Sequence, residues 1–152
     1  FSAPDGSPAE ASVTATGVAS AFGSIVVVGM AVNANADGGS IAMAWQSTDG
    51  LTWLEAPVEG AEDGQVFSVA ATSSGFLATG PSGETSCLGG VWSSLDGASW
   101  ACEASDPGFA GFAPYAAAGS PSVDVVVGLT EAGWDPSSGI GAPGAIWRRP
   151  LS

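Results

Sequence analysis

Ala44-Trp45-Gln46-Ser47-Thr48-Asp49-Gly50-Leu51-Thr52-Trp53 and Val91-Trp92-Ser93-Ser94-Leu95-Asp96-Gly97-Ala98-Ser99-Trp100 share the pattern W-x-S-x-D-G-x-[ST]-W. Asp49 and Asp96 stand 47 positions apart, a repeat period long enough for four short strands. Asp-Gly between two apolar runs is a strong hairpin signal, because Gly accepts positive φ without steric cost. The Asp side chain can accept N–H groups of its own turn. Trp on either side of the turn brings large apolar area to bury.

The likeness extends upstream. Ile25-Val26-Val27-Val28-Gly29 corresponds to Phe76-Leu77-Ala78-Thr79-Gly80, and Val125-Val126-Val127-Gly128 is a third copy. A run of small alternating residues precedes each copy, at Ala15–Ala21, Val66–Thr72 and Phe112–Ala118. In the second unit the four strands are expected at Val66–Thr72, Gly75–Gly80, Gly90–Ser94 and Ser99–Glu103. A third Trp segment begins at Ala145-Ile146-Trp147 and turns into Arg148-Arg149-Pro150. The units span approximately 11–57, 64–104 and 108–152, within one repeat domain covering 1–152. Phe1-Ser2-Ala3 falls in register with Trp53 and Trp100, as an outer fourth strand that would complete the last unit. The expected fold is therefore all-β: three four-stranded antiparallel β-propeller blades, half of a six-bladed ring.

Composition agrees with many short strands joined by Gly-rich turns, for 45% of residues are hydrophobic, 11% are charged and 23 are Gly. Fifteen acidic residues face only two basic ones, Arg148 and Arg149, giving a net charge of −13. Such a chain repels phosphate backbones and anionic lipid, so nucleic acid is excluded as a partner. No run reaches the roughly 18 apolar residues of a membrane helix, so membrane insertion is not expected. Cys87 and Cys102 flank one candidate hairpin and are expected to form a disulfide, which places the chain outside the cell or on its surface.

The two W-x-S-x-D-G-x-[ST]-W segments resemble the Asp-box, or BNR repeat, of sialidase-like propellers, which lies between the third and fourth strands of a blade. In the family pattern Gly stands two positions after Asp, whereas Gly50 and Gly97 follow Asp49 and Asp96 directly. The third unit lacks both residues. By this resemblance Ser47, Asp49, Gly50, Trp53, Ser94, Asp96, Gly97 and Trp100 are structural residues on a blade rim, away from any catalytic centre.

No catalytic residues are expected. A sialidase needs an arginine cluster and a Tyr nucleophile, and this chain has two adjacent arginines and one tyrosine, Tyr115. Without His there is no Ser-His-Asp triad and no His metal site. Two acidic loops, Asn33–Asp37 and Glu59 with Glu62 and Asp63, lack EF-hand spacing, so neither metal nor cofactor is assigned. Trp134 and Asp135, in a loop peculiar to the third unit, are the candidate contact for a carbohydrate or protein ligand. Three blades cannot close a ring, since propellers have about four to eight. A homo-dimer or a further propeller subunit is therefore the expected partner. The leading reading is a non-catalytic extracellular scaffold or binding module. The alternative is the non-catalytic half of a glycan-processing propeller enzyme, which should bring acids to inner strands such as Val66–Thr72, and that strand holds none.

Overall fold

Ile25-Val26-Val27-Val28 is stiff at χ1 and suits a pleated surface, and it forms the centre of the first sheet. The computed structural model describes residues 12–32, 39–82, 87, 89–103, 112–130 and 144–150. Among the described residues there are eleven strands and no helix, hence none long and apolar enough to cross a membrane. The first sheet holds β1 (Ser12–Ala21), β2 (Ser24–Val32), β3 (Ser40–Ser47) and β4 (Leu54–Ala56). The second holds β5 (Ser68–Thr72), β6 (Gly75–Thr79), β7 (Val91–Ser94) and β8 (Ala101–Cys102). The third holds β9 (Phe112–Gly119), β10 (Val123–Thr130) and β11 (Gly144–Pro150). Every pairing between these strands is antiparallel and joins sequence neighbours, so each sheet is a meander.

Strand ends differ slightly from the sequence reading. β5 begins at Ser68 rather than Val66, yet the Gln65 and Phe67 N–H groups still donate to the Pro81 and Thr79 carbonyls, both at 2.8 Å. β8 is short because Trp100 turns its backbone to the connection between the first two sheets. Its N–H donates to the Pro57 carbonyl and its carbonyl accepts from the Glu59 N–H, both at 2.9 Å. Phe1-Ser2-Ala3 lies outside the described residues.

The sheets stack through alternating side chains. Val26, Val28, Ala42 and Ala44 of the first sheet meet Phe76, Ala78, Trp92 and Trp100 of the second. Leu77 and Val91 point the other way, to Val126, Ala117 and Trp147 of the third. All five residues of β6 are therefore buried. Phe76 and Leu77 contribute about 2 kcal/mol each by leaving water. The opposite face of the first sheet buries Val27, Ala31, Met43 and Trp45 with Val13 and Trp53.

The first strands of the three sheets are neighbours, β1 against β5 and β5 against β9. Bulges set two of these junctions. The extra residue Thr16 in β1 donates its hydroxyl to the Val66 carbonyl, and the extra residue Tyr115 in β9 stacks on Phe67 at 6.1 Å. The recurring glycine, within β2 and β10 and just after β6, has a steric cause. A Cβ at Gly29, Gly80 or Gly128 would stand about 2 Å from the carbonyl oxygen of Thr14, Gln65 or Ala113, so the adjacent backbone admits no side chain.

Cys87 and Cys102 stand at disulfide distance, with Cα atoms 5.7 Å apart and a sequence separation of 15. The link ties the approach to β7 to the end of β8. Replacing both by Ala should lower unfolding free energy by about 3 kcal/mol through a freer unfolded chain. Urea denaturation of the double variant measures this, and an unchanged midpoint would contradict a constraining role.

Candidate functional site

The W-x-S-x-D-G-x-[ST]-W segments form the turns from β3 to β4 and from β7 to β8. In the first turn Ser47 Oγ accepts the Gly50 N–H at 2.9 Å and donates to Asp49 Oδ1 at 3.0 Å. Asp49 Oδ1 also accepts the Leu51 and Thr52 N–H groups at 2.8 and 2.7 Å. The Thr52 and Leu51 amides, followed by the Ser47 hydroxyl, favour the ionised carboxyl and lower its pKa from 3.8 to about 2. The second turn repeats part of the arrangement: Ser94 Oγ accepts the Gly97 N–H and Asp96 Oδ1 accepts the Ala98 N–H, both at 2.9 Å.

The two turns differ in what surrounds them. Gly50 and Gly97 have φ of 73° and 85°, a left-handed conformation that suits glycine. Behind Gly50 a Cβ would sit 3.6 Å from Ile25 Cδ1, an ordinary contact. Behind Gly97 it would sit 2.4 Å from Val26 Cγ2, because this turn presses on the first sheet. Trp100 is buried beside Phe76, with ring centroids 6.4 Å apart, whereas Trp53 is half-buried at the outer face of the first sheet. The hydrogen bonds of these serines and aspartates stay within their own turns, and Trp100 is core. Trp134 and Asp135 lie outside the described residues, as does Asn33–Asp37. Glu59, in the second acidic loop, is engaged structurally: its carboxylate accepts the Cys102 N–H at 3.3 Å and its carbonyl accepts Trp92 Nε1–H at 3.0 Å. Among the described residues no three His, Cys, Asp or Glu side chains gather as metal ligands.

The site that sequence reasoning missed is a cleft of about 530 Å³ beside the second turn. Its lining includes the apolar Phe76 and Trp100, the polar Ser93, Asp96 and Glu103, and Arg149 of the third sheet. Arg149 Nη2 donates to Asp124 Oδ2 at 3.1 Å, and its Nη1 lies 3.6 Å from Glu103 Oε1. Glu103 Oε1 also accepts the Ser93 hydroxyl at 2.5 Å. The guanidinium lies over Trp147, 5.8 Å from the ring centroid. Asp124 is wholly buried, so its charge depends on Arg149 for compensation. One signal was available: Asp124 takes the place in β10 that Ile25 and Phe76 take in their strands, and its cross-strand partner is Arg149. A carboxylate at an inward apolar position opposite one of only two cations marks an ion pair.

No family model, curated protein or solved structure matches the chain.

Two outcomes are expected. A group whose folded pKa lies below its unfolded value stabilises the fold above the unfolded value, and that contribution fades as pH falls through the folded one. Asp49 should thus stabilise fully above pH 3.8 and progressively less towards pH 2. The melting-temperature gap between wild type and Asp49→Ala should narrow between pH 4 and 2, and a pH-independent gap would contradict the ionic role. Separately, Gly50→Ala should cost about 1 kcal/mol for its left-handed backbone. Gly97→Ala should cost about 2 kcal/mol more through overlap with Val26, read by urea denaturation.

Proposed function

We propose that the chain is a non-catalytic β-propeller scaffold, secreted or exposed at a cell surface, that mediates assembly or ligand binding. The observation that carries this reading is the repetition of antiparallel meanders whose first strands lie side by side while successive sheets stack face to face. That is how propeller blades surround an axis. The two Asp-Gly turns, set between third and fourth strands, support the Asp-box likeness. The paired cysteines and acidic composition suit an oxidising compartment outside the cytosol.

Three blades fall short of a ring, so further blades would cover the face of the third sheet that the described residues leave open. Val127 and Ile146 are 39% and 64% exposed there. A second copy would supply three more blades and a two-fold ring, and a further propeller subunit would serve the same end. Light scattering on a size-exclusion column tests this. A mass twice the 14.7 kDa of one chain supports ring closure by two copies. A monomer that stays soluble at high concentration with Ile146 still accessible would oppose it.

A further inference from the structure

We infer that the cleft lined by the second unit and by Arg149 of the third sheet binds a neutral saccharide. The inference rests on the ligand-binding half of the proposed function and not on ring closure, because one chain builds the whole cleft. Its volume of about 530 Å³ suits one or two sugar rings.

The charge pattern selects the ligand class. Arg149 is the only cation lining the cleft; Glu103 and the buried Asp124 hold its guanidinium, and Asp96 adds a further carboxylate to the lining. An anion would meet excess negative charge, within a chain that already carries −13. A cation would have to displace the guanidinium from Glu103. A vicinal diol fits both groups at once, with one hydroxyl donating to a carboxylate while its neighbour accepts from the guanidinium.

The polar groups are held before any ligand arrives. Ser93 fixes the Glu103 carboxylate, Glu103 and Asp124 hold the guanidinium from two sides, and Trp147 lies under it. Such preorganisation lowers the ordering cost of binding. The Glu103 carboxylate, the outer oxygen of Asp96 and the exposed Ser99 hydroxyl offer further partners along the same wall.

The test is a glycan array carrying neutral, sialylated or uronate-bearing, and amino oligosaccharides, probed with the whole chain. Ligand-observed NMR with the best neutral glycan then gives the affinity. Binding to neutral glycans above the charged sets is expected. Glu103→Gln, which keeps the shape and removes the charge, should weaken it about ten-fold. Ser99→Val, at an exposed position, should weaken it while leaving the melting temperature unchanged, which separates loss of a contact from loss of fold. Binding confined to charged glycans, binding to none, or neutral binding untouched by both variants would each overturn the inference. Light scattering reports ring closure independently, so a saccharide-binding monomer would retain this site and discard the dimer.

Discussion

β6 is buried on both faces, and the other sheets are organised around it. Phe76 and Ala78 project into the layer shared with the first sheet, while Leu77 projects into the layer shared with the third. A strand with apolar side chains on both sides can be stable only between two partners, because either face left in water forfeits its burial. The first and third sheets are thus tied together through the second without a direct shared core among the described residues. The indole of Trp92 reinforces the arrangement: it lies in the first layer and donates to the Glu59 carbonyl, which fixes the connection between the sheets.

Polar groups set the geometry that apolar packing leaves loose. Thr16 and Tyr115, each the extra residue of a bulge, reach the stretch just before β5 from opposite sides. The connecting segment at 57–59 pairs with Trp100, so the outer part of the second sheet is held by backbone of the first unit. Arg149 joins Asp124 in its own sheet to Glu103 at the end of the second. Loss of Arg149 would leave Asp124 buried and uncompensated, which ties the cleft's chemistry to the packing of the two sheets. The cleft lies beside the second turn, where Arg149 of the third sheet meets Glu103 at the end of the second.

The Asp-Gly turns bond inwardly through Ser47, Asp49, Ser94 and Asp96, which leaves them little capacity for external ligands apart from the outer edge of Asp96. The proposed ligand chemistry rests instead on side chains from separate units, Glu103 and Arg149, whose partnership no local motif encodes.

Several features were legible in the sequence because they depend on neighbours along the chain. The 47-residue spacing, the Asp-Gly hairpins and the alternation of Val26 and Val27 come from strand periodicity and turn stereochemistry, and the recurrent Gly29, Gly80 and Gly128 from the close approach of the preceding segment of the same unit. The Cys87–Cys102 pairing followed from one hairpin. Strand ends shifted where hydrogen bonds went to another unit, as at Trp100. Gly50 and Gly97 look alike in sequence, and only tertiary packing placed Val26 against one of them. The cleft likewise depended on Arg149 of β11 coming to rest beside the second sheet. A repeat pattern reports which face of a strand is apolar, whereas the partner that covers it, and the gap left where covering fails, depend on how whole sheets come to rest against one another.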